Sequence, residues 1–134
     1  HYPLRRQRQM CIRDRADCAP MLIALQAALG HLKSTTEVLL GSMLERDIDL
    51  VMANSAKYLE LFGHVVVGWM WLRQGLIAAQ ALTAECHSDD TAFYRGKLQG
   101  MLYFARWELP QTKVWADLLS DLDDTTYTME AAWF

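Results

Sequence analysis

Glu60 and His64 stand one helical turn apart, a spacing that sets a carboxylate and an imidazole on one helix face as a general acid–base couple or half of a metal site. Within a helical bundle the same pair serves as a satisfied polar contact, and that is how we read it. Cys86 beside His87 would be a reactive thiolate if a cation lowered its pKa, but no second cationic partner is visible, so both are read as surface residues. Arg95, Lys97 and Arg106 share a segment with Tyr94, Tyr103, Phe104 and Trp107, a mixture that can stack nucleobases. The acidic body of the chain favours ion pairs to Glu60, Glu108 or a partner subunit instead. Trp69-Met70-Trp71, with Tyr58 and Arg73 in the same stretch, reads as core or interface, because interface centres favour tryptophan and arginine. There is no glycine-rich phosphate loop, no Ser or Cys in a nucleophile elbow and no His-Glu pair at metal spacing. No catalytic, cofactor-binding or metal-ligating residue is assigned. Tyr58, Glu60, His64, Trp69, Trp71, Arg73, Arg95 and Lys97 stand as structural or interface candidates.

Helices must position these residues. From Tyr58 to Leu82 apolar side chains occupy nearly every register, so the helix they form is expected to be covered on most of its circumference. Its continuous apolar run, Leu61 to Leu72 apart from His64, falls short of the roughly 20 residues a bilayer core demands, and no transmembrane span is expected. The helix is placed over 48–85, interrupted near Asn54-Ser55, with Gly63, Gly68 and Gly75 open to close helix approach. Before it, Met21, Leu25, Leu29, Leu32, Thr36, Leu39 and Met43 recur at steps of four and three, predicting an amphipathic helix over 18–46 with Pro20 in its first turn. Gly30 inside it marks either a close contact or a weak spot. Ser34-Thr35-Thr36-Glu37 matches a capping box, yet the apolar period runs through it.

A third helix carries Tyr94, Leu98, Met101, Leu102, Ala105 and Leu109 on one face and kinks or restarts at Pro110, which cannot donate to the turn before it. Val114, Trp115, Leu118, Leu119 and Leu122 extend the stripe to about 122. The polar-to-aromatic end, closing on Trp133-Phe134, suggests a tail docked onto something apolar. With no strand alternation, the expected fold is all-α, an antiparallel up-down bundle of three to four helices.

The 134 residues suffice for one domain with a core, at 52% hydrophobic and 22% charged. Charge is uneven: residues 1–15 hold five arginines against one aspartate, and the remainder holds eight Lys/Arg against fifteen Asp/Glu. An acidic body does not advertise phosphate-backbone binding, so no nucleic acid is expected. Met10-Cys11-Ile12-Arg13-Asp14-Arg15 resembles the in-frame translation of a transposase end used in sequencing libraries, and residues 1–16 are read as a non-native, adapter-derived segment. The domain is assigned to 17–134. Three cysteines without framework or zinc spacing fit reducing, cytoplasmic conditions.

Two runs, residues 53–66 (Ala53-Asn54-Ser55 through Val65-Val66) and Phe93-Tyr94-Arg95-Gly96-Lys97-Leu98, followed by Tyr103-Phe104, Glu108-Leu109-Pro110 and the closing Trp133-Phe134, resemble the C-terminal helical extension domain of the acyl-CoA dehydrogenase family, in the subgroup that includes 3-methylthiopropanoyl-CoA dehydrogenases. Lys57 departs from that pattern, standing where many relatives have proline. The resemblance implies a parent oxidoreductase that uses FAD to oxidise the Cα–Cβ bond of an acyl-CoA, a fatty-acid or 3-methylthiopropanoyl thioester. In such enzymes a glutamate removes the α-proton, hydride passes from Cβ to the flavin, and electron-transfer flavoprotein collects the electrons. The resemblance also implies upstream catalytic domains and a homo-oligomer. No flavin or catalytic residue is carried onto this segment, which is expected to be inactive alone and to pack on the catalytic body or the subunit interface. The other reading is a free-standing helical interaction module.

Overall fold

The computed structural model describes residues 2–84 and 88–134, with side chains described from residue 16 onward. Cys86 and His87 lie outside the described residues. The described chain is helical: α1 (Tyr2–Glu45), α2 (Ile48–Met52), α3 (Ser55–Thr83), α4 (Ser88–Tyr103), a π turn (Phe104–Glu108), α5 (Gln111–Ser120) and a closing 3-10 turn (Ala131–Trp133). No strand occurs among the described residues.

α1 runs well past its expected start, and Pro20 lies inside it rather than in its first turn. Ala16 and Pro20 are both exposed, so the carbonyl deprived of its donor is open to water and the helix tolerates the loss. The core seam of α1 is Cys18, Met21, Ala28, Leu32 and Thr35, with Leu25 partly buried. The expected stripe is thus corrected by one register in places: Leu29 is exposed and Ala28 takes the inward position. Small Ala28 permits closer helix packing than leucine, a choice that periodicity alone does not reveal. No restart occurs at Ser34, whose hydroxyl donates back to the His31 carbonyl while Thr36 Oγ1 donates to the Leu32 carbonyl at 2.7 Å.

The interruption expected near Asn54-Ser55 is present, and α2 is a single short turn capped by Asp47, whose Oδ1 accepts from the Asp49 amide at 3.1 Å. The cause of the break is tertiary. Asn54 caps no helix with its side chain; its Nδ2 donates to the Asp123 carbonyl at 2.8 Å and its Oδ1 accepts from Thr126 Oγ1 at 2.9 Å.

α3 lies between the other rods. Leu61, Val65, Gly68, Leu72, Gly75 and Ala79 are buried at alternating steps of four and three residues. Leu25 of α1 approaches Gly68, and Tyr58 Oη lies 2.7 Å from Thr36 Oγ1. Towards α4, Met101 fills the space above Gly75, and the Trp71 ring lies over Gly100. A Cβ added at Gly63 or Gly30 would meet nothing within 4 Å, so Gly63 is not the point of close approach expected of it, and of the two readings of Gly30 the close contact is excluded.

Proline at 110 acts one turn early. The Leu109 amide reaches back five residues to the Phe104 carbonyl (3.0 Å), widening the last turn into a π turn before the chain restarts as α5. Thr112, Ala116 and Leu119 are the buried face of α5, whereas Val114 and Leu118, expected inward, are exposed. α5 ends with the Asp123 amide donating to the Leu118 carbonyl and Leu122 at φ 51°, a left-handed closing residue that costs a leucine about 1 kcal/mol.

Candidate functional site

His64 is the best-connected polar side chain of the molecule's described part. α3 aims its ring at the π turn and α5: Nε2 lies 3.2 Å from Glu108 Oε2, Nδ1 lies 3.1 Å from the Glu60 carbonyl, and the ring meets Trp115 edge-on at 4.7 Å. The Glu60 carboxylate points elsewhere, to Lys57. The two side chains that spacing joined are therefore apart, the contact with Glu60 being to its backbone carbonyl, and Glu108, forty-four residues away, is the side-chain partner. No sequence signal links those two positions. With an acceptor at each nitrogen, the neutral ring can donate to one and the imidazolium to both. Among the described residues no nucleophilic hydroxyl or thiol is hydrogen-bonded to His64, and no group of three potential metal ligands forms. The arrangement fastens α3 to the π turn.

Within the described chain the cationic residues Arg95, Lys97 and Arg106 do not pair with Glu60 or Glu108. Lys97 donates to Gln74 Oε1 at 3.0 Å, with its Nζ 5.6 Å from the Trp71 ring centroid and 5.5 Å from that of Phe93. Arg95 and Arg106 are exposed and meet no carboxylate among the described residues. Tyr103 and Trp107, one helical turn apart and 17° from parallel, stack at 6.2 Å on the surface.

An apolar cavity of about 210 Å³ sits where α1, α2 and α3 meet, lined by Leu39, Met43, Val51 and Met52, with Thr36 and Tyr58 supplying hydroxyls. It is smaller than the roughly 300–1,000 Å³ of sites that hold drug-sized ligands, and none of its lining residues is charged. A flavin dinucleotide with a pyrophosphate does not fit it, and no step of flavin chemistry is assigned to this chain.

The largest departure from expectation is the outer side of α3. Phe62 (46% exposed), Val66 (41%), Trp69 (51%), Met70 (41%) and Ile77 (61%) face water, so the helix is not covered on most of its circumference by this chain. One seam packs, because α1 and the α4–α5 rod reach only that side. Within this face, between Met70 and Ile77, the Arg73 guanidinium carbon lies 5.5 Å from the Trp69 ring centroid. Trp71, two residues on from Trp69, is half-buried against α4. By length and composition α3 is also apolar enough to cross a membrane. The aromatic tail likewise finds no apolar seat: Trp133 and Phe134 are 62% and 96% exposed, and the tail is tied by polar bonds to Asn54 and from Tyr127 Oη to Asp47 Oδ2 (2.9 Å).

Comparison with known proteins places these features. A broad-specificity linear acyl-CoA dehydrogenase of Mycobacterium tuberculosis is 27% identical over 115 residues, which cover 82% of this chain and 19% of that protein. The chain thus spans about a fifth of that relative's length. No solved structure matches. The family model described as acetyl-CoA dehydrogenase C-terminal like matches residues 5–130, nearly the whole sequence, and the chain belongs to that family.

Proposed function

We propose that this chain is the C-terminal helical domain, with its native boundary near residue 17, of an FAD-dependent acyl-CoA dehydrogenase. It would act as a structural element that packs on the catalytic body or at a subunit interface of a homo-oligomer. The observation that carries this reading is the family match across residues 5–130, with the chain spanning only 19% of an acyl-CoA dehydrogenase relative. Contact registers support the up-down arrangement proposed for the bundle: Leu25 pairs with Gly68 and Thr36 with Tyr58, so numbers rise along α1 as they fall along α3.

The parent enzyme would remove hydrogen from Cα and Cβ of a linear acyl-CoA, the substrate class in the relative's name, and pass electrons to an electron-transfer flavoprotein in the cytoplasm. A 3-methylthiopropanoyl-CoA substrate is the narrower version of the proposal. Within this chain His64, Glu108 and Trp115 hold α3 to α5, while Lys97, Gln74 and Trp71 hold it to α4. Both sets keep the outer face of α3 in place.

The test expresses residues 17–134 alone, beside the parent protein with its upstream coding sequence. With acyl-CoA, FAD and an electron acceptor, the fragment is expected to show neither turnover nor bound flavin, and the parent both. Flavin retained by the fragment would mean that it contains a cofactor site after all. A parent reading frame without dehydrogenase activity would favour the free-standing interaction module, for which the exposed aromatics are the supporting observation.

A further inference from the structure

We infer that the outer face of α3, centred on Phe62, Val66, Trp69, Met70 and Ile77, is the surface by which this bundle docks onto the preceding catalytic domains of its own polypeptide. This rests on the reading above that such domains exist. All five residues are exposed by 41–61%, and together they follow one side of a helix. Exposed apolar residues scattered singly need no explanation, but a continuous row on the central helix does.

The identity of the occupant follows from what surrounds the face. About four-fifths of the related dehydrogenase lies outside the matched region, so a large surface within the same polypeptide is available to it. Charge is sparse: Lys57 and Glu60 pair with each other near the N-terminus of α3, and Arg73, between Met70 and Ile77, lies on Trp69 without a carboxylate among the described residues. The face therefore suits an apolar surface carrying one carboxylate opposite Arg73. A bilayer would leave Arg73 and His64 inside the span.

The experiment mixes the 134-residue chain with the separately expressed upstream portion of the parent. Affinity is measured for wild type, Val66→Asp, Trp69→Asp, Arg73→Glu and the control Ile23→Asp, which alters an exposed α1 residue. Melting of each chain alone confirms that it folds. The two aspartates on the face are expected to weaken binding at least tenfold, Arg73→Glu more moderately, and Ile23→Asp hardly at all. Binding of wild type with no loss in the face variants overturns the assigned face while leaving the parent reading intact. If the upstream portion does not bind even wild type, the parent reading itself fails. Concentration-dependent dimerisation abolished by Val66→Asp, or co-sedimentation of the chain with phosphatidylcholine vesicles, assigns the face to another occupant and overturns the inference.

Discussion

Single side chains decide how closely the helices approach. A Cβ added at Gly75 would fall onto the Met101 sulfur, and Met101 is fully buried, so its side chain would have to shift within the packed core. Gly75→Ala is therefore expected to destabilise the chain by about 1–3 kcal/mol, the range for overpacked cores. Gly30 has open space around it within α1, so Gly30→Ala should stabilise by roughly 0.5–1 kcal/mol through helix propensity. Urea midpoints of the two variants should move in opposite directions; a shared direction would show that close approach at Gly75 is not what its glycine provides. The tail adds a pH-dependent contact. Tyr127 donates to Asp47, and that hydrogen bond, followed by the negative charge of Asp47, slight desolvation and the charge of Asp49, raises the phenol above its ordinary 10.0. A raised folded-state value means the contact is fully present below pH 10.0 and is lost as pH rises through the raised value. In a spectrophotometric tyrosinate titration, Tyr127→Phe should remove a component that ionises above pH 10.0, and an unchanged alkaline limb would count against the tether.

At the scale of elements, the break between α2 and α3 is held from a distance. Asn54→Ala removes both the donor to the Asp123 carbonyl and the acceptor for Thr126, and should cost about 1–2 kcal/mol at this partly buried position. Amide exchange at residues 123–128 should quicken while the centre of α3 keeps its protection. Equal quickening in both regions would mean that Asn54 supports the whole bundle rather than the tail. The position of this break was legible in the sequence because asparagine and serine compete with helical hydrogen bonds, but its cause was not, since Asp123 is 69 residues away. The same limit applies to His64: its reach along α3 to Glu60 is visible in the spacing, and its partner Glu108 is visible only once α3 and the π turn are side by side. The helical content and the restart at Pro110 were readable because period and proline chemistry are local. Gly100 was missed for the opposite reason: nothing local announces that Trp71 will cover it.

For the molecule as a whole, the apolar surround of α3 was read as a demand for covering, and only half of the cover belongs to this chain. Periodicity reports that a side chain avoids water; it does not say which polypeptide segment removes it from water, so Leu61 and Phe62 look equally internal in sequence while one is buried and the other 46% exposed. A bundle that leaves this much apolar surface uncovered should gain stability from its partner by mass action. If the upstream portion binds only the folded bundle, it stabilises it by about 2.7 kcal/mol when present at a hundredfold excess over its dissociation constant. The unfolding midpoint of the 134-residue chain should therefore rise with each addition of that portion and keep rising logarithmically once the sites are filled, because excess partner continues to disfavour unfolding. Trp69→Asp should flatten the dependence while changing the midpoint of the chain alone far less, since Trp69 is 51% exposed. A midpoint indifferent to the added portion, in a preparation where the parent enzyme itself is active, would mean that the bundle is stable and functional with its greasy side bare.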